Sequence, residues 1–464
     1  MPRRLLLSLT AVALSSVAVA APDPSSIAAR LTGAALIDGR AFATAASLTD
    51  RVGPRLAGSA GAARAVDWAV EEMKRAGLSN VHREPVRVPR WVRGEESVEL
   101  VSPTAQALHA VALGGSVGTA AGGLTAEVIE VTSLAEARVL GARARGKIVL
   151  FNKAMERSRR GFDGYGAVVP MRGSGAVEAA RLGAVGALIR SVGTGAYRLP
   201  HTGGTRYDEK VAKIPFAAVA AEDADLLHRL LEAGAPVKVT MRLGAKFEGE
   251  VESANVVGEV PGAGKSDELV LLGAHLDSWD LGTGAIDDAA GCAMVIEAAR
   301  LIAALGLHPK RTLRVVLFMN EERGLSGARA YAAQHRSELG RHVAAFEADS
   351  GAGRPWGFVV AGGSPSLALV QKLAAPLAAL RAADVVAGPE GGADLIPLQA
   401  AGVPVLGLGQ DLTTYFDWHH TAADTLDKID PIDLALDSAA VSVIGFALAD
   451  ALERLPPPLP PEQP

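Results

Sequence analysis

Acidic and imidazole side chains gather at five places in the second half of the chain: His275 with Asp277, Asp287 with Asp288, Glu321 with Glu322, Glu347 with Asp349, and His419 with His420. Each cluster alone has a plain structural use. Asp287 or Asp288 can cap a helix, Glu321 and Glu322 can favour a helix start through its dipole, and paired histidines can sit in a solvated loop. Taken together, in the order H-x-D, D-D, E-E, D and H-H, they are hard to obtain as independent caps. Neutral imidazole and carboxylate oxygen are ligands that zinc takes when cysteine is absent. The single cysteine, Cys292, excludes an internal disulfide and a cysteine cluster. Two metal ions about 3.5–4 Å apart need one shared carboxylate and two further ligands each. The inventory supplies that set, with a carboxylate to spare for proton transfer.

Four apolar runs deliver these residues. Positions 269–274 lead into His275-Leu276-Asp277, 313–319 into Asn320-Glu321-Glu322, 342–346 into Glu347-Ala348-Asp349, and 403–408 into a longer loop holding Tyr415, His419 and His420. From about residue 250 strand and helix alternate, the pattern of a mostly parallel α/β sheet flanked by helices. Ligands bind such sheets beyond the carboxyl ends of the strands. Clusters spread over about 145 positions can therefore meet in one crevice.

Residues 1–20 combine a basic head, an apolar run and Ala18-Val19-Ala20. That is the layout of a cleaved signal peptide, so the expected mature protein is exported, periplasmic or extracellular. Residues 22–97 are read as the N-terminal part of the catalytic domain, with 26–85 as helices broken by turns. Residues 98–246, rich in Gly and Ala with short strands, read as an inserted β-rich domain. Residues 247–455 are the main catalytic part, and 456–464 a Pro-rich disordered tail. No second stretch reads as long and apolar enough to span a membrane, which needs about 20 apolar residues.

The chain has 464 residues, 49% hydrophobic and 21% charged, with a formal net charge of −5. This excludes wholesale disorder and argues against a nucleic-acid partner, which needs a basic footprint. Several motifs are decoys. Pro261-Gly262-Ala263-Gly264-Lys265-Ser266 ends like a phosphate loop, but Glu259 stands where the first glycine belongs and a strand follows, so a hairpin turn is expected. Gly324-Leu325-Ser326-Gly327 lacks the serine-elbow spacing. Cys292 lies on an apolar helical stripe and reads as a packing thiol.

The segments Gly273–Ser278, Gly284–Gly291, Asn320–Ala328, Glu347–Gly351 and His420–Thr425 resemble, in order and local context, the co-catalytic dizinc exopeptidases. Gly53-Pro54-Arg55-Leu56-Ala57-Gly58-Ser59, the His419-His420 pair and an insertion resembling a protease-associated domain bring the chain nearer to the carboxypeptidase Q branch. The resemblance implies two Zn2+, with His275 and Asp349 on one, Glu322 and His420 on the other, and Asp287 bridging. It implies a cis bond between Asp287 and Asp288, the Asp277 carboxylate orienting the His275 imidazole, and Glu321 as general base for a metal-activated water. In some aminopeptidase relatives a tyrosine precedes the last histidine ligand; here that position is His419, leaving His419 or Tyr415 as oxyanion donor.

The implied substrate is a dipeptide or short peptide with a free terminus. Either end fits the same metal core, and the loop 388–394 reads equally as a specificity element or a plain glycine turn. Two other activities occur on this fold: a glutaminyl cyclase-like acyltransferase with a single zinc, and a non-catalytic binding domain. The oligomeric state is open, a homodimer being one option.

Overall fold

The computed structural model describes residues 23–458 except Ala235, Lys265, Ser266 and Glu390. The signal-like segment and most of the Pro-rich tail lie outside the described residues. Three helices, Pro24–Ile37, Ala41–Arg51 and Ala60–Arg75, open the fold. Ser59 caps the third by accepting the Ala62 N–H, and Gly77 turns the chain away from its end at φ +85°.

The main sheet has eight strands: β1 (Ser79–Val92), β2 (Lys246–Val260), β3 (Leu269–His275), β4 (Thr312–Phe318), β5 (His342–Glu347), β6 (Pro355–Ala361), β7 (Asp384–Ala387) and β8 (Val405–Gln410). Their spatial order is β1-β2-β4-β3-β5-β8-β6-β7. The pairs β3–β4, β3–β5 and β5–β8 are parallel, whereas β1–β2, β2–β4 and β6–β8 are antiparallel. The mixed α/β architecture expected from the alternating pattern is the one observed. Strand β3 is buried at every position because helices cover both faces of the sheet centre.

Three local expectations are corrected. Residues 79–85 do not continue the N-terminal helices; they begin β1, whose alternating burial from Pro85 to Val88 is that of a strand with one wet face. The turn at 261–264 does not close a hairpin, since β4 lies between β2 and β3. Helix Pro431–Asp450 is long and apolar enough by length and composition to cross a membrane, contrary to the sequence reading, with 78% of its most apolar window buried in the fold. It is apolar all round because it packs between the sheet, helix Ala290–Ala304 and the first helix.

A second eight-stranded sheet is built from residues 96–243, in the order Gln106–Leu108, Glu96–Ser102, Lys238–Leu243, Leu124–Val131, Ile148–Phe151, Gly186–Arg190, Phe216–Val219 and Ala110–Ala112. Its parallel centre carries helix Val169–Arg181. The buried Arg93, just after β1, forks onto Asp280 at 2.6 and 2.8 Å and ties this sheet to the loop after β3.

Candidate metal centre

The carboxyl ends of β3, β4 and β5 place His275, Glu321 with Glu322, and Asp349 around one crevice. Asp287 enters at the start of the helical segment leading into Ala290–Ala304, and the peptide bond between Asp287 and Asp288 is cis. Asp287 is the geometric centre. Its Oδ1 lies 2.9 Å from His275 Nε2, and its Oδ2 lies 3.2 Å from His420 Nε2. Asp349 Oδ1 is 3.5 Å from His275 Nε2, and Glu322 Oε2 is 3.1 Å from His420 Nε2. One carboxylate thus touches two imidazoles, each with its own second acid.

The surrounding bonds orient these groups. His275 Nδ1–H donates to the Asp277 backbone carbonyl at 3.0 Å rather than to the Asp277 carboxylate expected to orient it, whose Oδ1 is 3.9 Å away, and Nε2 is left turned toward the acids. Asp277 Oδ1 accepts the backbone N–H groups of Asn320 (2.7 Å) and Glu321 (3.1 Å), tying the β3 loop to the β4 loop. Asp288 accepts from the His275 and Gly291 amides, and Asp424 Oδ1 accepts from Ala285 (2.8 Å) and Ile286 (2.7 Å). Cys292 is buried with its thiol against the His275 carbonyl, and burial raises its pKa far from a reactive range.

So many buried acids repel one another. Burial, with Asp349, Asp287 and Asp277 nearby, pushes Glu321 up to about 8. Burial and Asp287 push Glu322 well above the usual carboxylate range. Asp287 goes the other way: its two imidazole partners outweigh burial and hold it well below that range. Asp277 Oδ2 and Glu322 Oε1 are buried without hydrogen-bond partners among the described residues, and Asp287 Oδ2 has the His420 and His419 Nε2 atoms beside it at 3.2 and 3.6 Å but outside hydrogen-bond geometry. Buried acceptors left open in this way, in an N/O donor set without sulfur, fit divalent cations. Two overlapping triads, His275-Asp287-Asp349 and Asp287-His419-His420, bring their ligand atoms within 4.8 Å of one another.

The structure brings together all the residues singled out in the sequence. His419 stacks on His420 with ring centroids 3.5 Å apart, its Nε2 3.6 Å from Asp287 Oδ2 and its Nδ1 without a hydrogen-bond partner among the described residues. Tyr415 packs against His419 at 5.0 Å. Within the loop expected at 388–394, the segment 391–394 rests on Glu347, which accepts the Asp394 N–H at 3.1 Å; a Cβ at Gly392 would overlap that carboxylate.

Sequence reasoning missed what the second sheet contributes. Thr202 N–H donates to the His420 carbonyl (2.9 Å) and His201 Nδ1–H to the His419 carbonyl (2.8 Å). Arg157 forks onto Asp417, which also accepts from Thr194. Arg172 is only 7% exposed. Its Nη2 donates to the Tyr165 hydroxyl (2.6 Å), its Nη1 lies 3.4 Å from His420 Nδ1, and its Nε has no partner. No carboxylate pairs with it among the described residues. A helical arginine on a Gly/Ala-rich segment carries no signal of this in sequence.

The family model for Peptidase family M28 matches residues 255–442. Carboxypeptidase Q of Mus musculus and that of Homo sapiens are each 38% identical over 417 residues, spanning 90% of this chain and 87% of the relative. The solved structure of a peptidase M28 precursor from Shewanella amazonensis SB2B superposes with a TM-score of 0.91 at 42% identity, covering 94% of this chain and 99% of that one. An aminopeptidase from Aneurinibacillus sp. strain AM-1 shares the fold, with a TM-score of 0.65 at 22% identity and coverage of 92% and 97%. Identity of this order along nearly the whole length, joined to the clustered acids and imidazoles, makes the chain a member of peptidase family M28 and a metallo-exopeptidase.

Proposed function

We propose that the protein is a dizinc exopeptidase that hydrolyses dipeptides and short peptides whose carboxylate end is free. The observation that carries the reading is Asp287, a single buried carboxylate 2.9 and 3.2 Å from imidazoles on two different loops. In this assignment His275 and Asp349 hold one zinc, Glu322 and His420 the other, and Asp287 both. When bound, the ions supply Lewis acidity toward the scissile carbonyl and make hydroxide available near neutral pH.

The chain's own residues perform the remaining work. Glu321, fixed through its amide on Asp277, accepts a proton from the attacking water and delivers one to the leaving amine nitrogen. Its raised pKa suits a group that must hold a proton between those steps, and nearby cations lower that pKa toward the working range. Asp277 keeps the His275 loop and the Glu321 loop in register. His419, with an unpartnered Nδ1, and Tyr415 are the candidate donors to the oxyanion.

Arg172 supports the choice of terminus. A guanidinium buried without a carboxylate is costly, and its planar fork matches a carboxylate in geometry. In a dipeptide the terminal carboxylate follows within the single residue after the scissile bond, a reach of about 3.8 Å between Cα atoms. Arg172 sits one imidazole ring away from the Nε2 of His420 that faces Asp287 and Glu322.

The testing experiment is a panel of one dipeptide in free, N-acetylated and C-amidated forms, each with and without chelator. The free dipeptide is expected to be cleaved, the C-amide poorly, and chelator to abolish turnover until zinc is restored. Equal cleavage of the free and C-amidated forms would remove the terminus assignment, and full turnover in chelator would remove the metal mechanism.

A further inference from the structure

Arg55, in the Gly53–Ser59 segment, has no role in the chemistry described above, yet it is among the largest fully buried side chains and is 0% exposed. Among the described residues its guanidinium hydrogen-bonds only to carbonyl groups. Nε donates to Leu276 O at 2.6 Å, Nη1 to Thr283 O at 2.6 Å and Nη2 to Gly284 O at 2.9 Å. Its backbone N–H donates to Ser278 Oγ at 3.3 Å. Leu276 lies between His275 and Asp277, and Gly284 lies three residues before Asp287. The two loops that carry these residues are thus pinned to one rigid plane.

We infer that Arg55 is a positioning residue that sets the distance between His275 and the bridging Asp287, and through it the affinity of the centre for metal. The inference rests on the ligand assignment proposed above. The physical reason is shape. A guanidinium presents donors in a fixed fork and can hold separated carbonyls at once. A lysine ammonium offers its donors from one point and cannot span both loops. The space is already committed: a Cβ at Gly284, which stands at φ +60°, would meet Arg55 Nη1 and Ser278 Cβ.

A matched control exists in the same fold. Arg311 is 6% exposed and also holds backbone carbonyls, Leu448 O at 3.1 Å and Ala451 O at 2.7 Å, with Glu268 on its Nε. It lies at the opposite end of the sheet, just before β4 begins. If buried arginines here serve only stability, Arg55→Lys and Arg311→Lys must behave alike.

The test measures zinc affinity of the full chain by chelator competition, beside thermal stability, kcat and KM. Arg55→Lys is expected to weaken zinc binding by about 10–100-fold, the usual cost of losing a group that orients metal ligands. Its kcat at subsaturating zinc should fall with occupancy, with KM within about threefold of wild type. Arg311→Lys is expected to lower the melting temperature and leave zinc affinity unchanged. Zinc affinity within twofold of wild type in Arg55→Lys, or an equal loss in both variants, overturns the inference. Should Arg55→Lys fail to fold, Arg55→Gln, whose shorter side chain cannot span both loops, decides: a weaker zinc affinity supports the positioning role and an unchanged one ends it. Wild-type protein that takes up no zinc would instead defeat the ligand assignment itself.

Discussion

Replacing Arg172 by Met separates substrate recognition from structural support. In the folded chain the guanidinium has one strong bond, to Tyr165 OH at 2.6 Å, and its Cζ lies 5.4 Å from that ring's centroid. Its third contact, His420 Nδ1, is another nitrogen. Replacing buried ionic groups by apolar ones of similar volume is often neutral or stabilising by about 1–4 kcal/mol, so Arg172→Met should melt at or above the wild-type temperature. Catalysis should move the other way. A charge-assisted hydrogen bond to a carboxylate contributes about 1.5–3 kcal/mol, which at about 1.4 kcal/mol per decade is roughly 10–150-fold in kcat/KM. The C-amide of the same dipeptide never makes that interaction, so its kcat/KM should stay near the wild-type value. The assay is the ratio of kcat/KM for a free dipeptide to that for its amide, with zinc content measured on the same samples. An unchanged ratio refutes the reasoning. So does a proportional loss on both substrates with a lower melting temperature, which would make Arg172 a brace for His420.

Glu321→Gln should keep full zinc content and lose about 10²–10⁴ in turnover, the range for a positioned general acid–base; unchanged turnover would remove Glu321 as the proton carrier. Glu322→Ala should release one zinc equivalent, and two equivalents found by elemental analysis would show the adjacent glutamates to be misassigned. Away from the site, the Glu84 carboxylate, 2.7 Å from His335 Nε2, raises the histidine's pKa, while burial, which pushes Glu84 up, is outweighed by His335 and His82 together, so that the Glu84 pKa is lowered. Both groups are charged between the ordinary carboxylate range, about 4.3, and the ordinary imidazole value, about 6.5. Stability from the pair is therefore full in that window, fades as pH rises through the elevated His335 pKa, and fades as pH falls through the depressed Glu84 pKa. Melting curves of wild type and Glu84→Gln should diverge most near pH 5–6; a constant difference from pH 5 to 9 would remove the linkage.

The ligand clusters were legible because parallel strands deposit their carboxyl ends on one edge. Once the runs before His275, Glu321, Glu347 and His419 read as strands, convergence followed without any knowledge of loop paths. Arg172, His201, Thr202 and Arg157 were not legible for the same reason in reverse: they reach the site from another sheet, more than 200 residues upstream of His420. Arg55 was visible as part of a matching segment, but its partners are backbone carbonyls, which leave no trace in residue type. Helix Pro431–Asp450 did not read as an apolar span because Asp433 and Asp437 interrupt it. The hairpin expected at 261–266 failed because adjacency in sequence is only a tendency in mixed sheets.

The residues around the second sheet brace the loop that carries His419 and His420. His420 stands at φ +64°, a left-handed conformation that costs a residue with a side chain about 1–2 kcal/mol. Something outside its own loop must hold it there. The main sheet supplies little: the loop from 411 to 421 leaves β8 and is anchored mainly by Thr202 on the His420 carbonyl, His201 on the His419 carbonyl, and Arg157 with Thr194 on Asp417. His201 is suited to this because burial lowers its pKa to about 4, so it stays neutral and keeps the tautomer that donates from Nδ1. The same part of the chain carries Tyr165 and Arg172, on the helices Asp163–Gly166 and Val169–Arg181. On the proposed assignment, metal geometry and recognition of the substrate's free carboxylate would both depend on this part of the chain, and a movement of it relative to β3 and β4 would disturb both together.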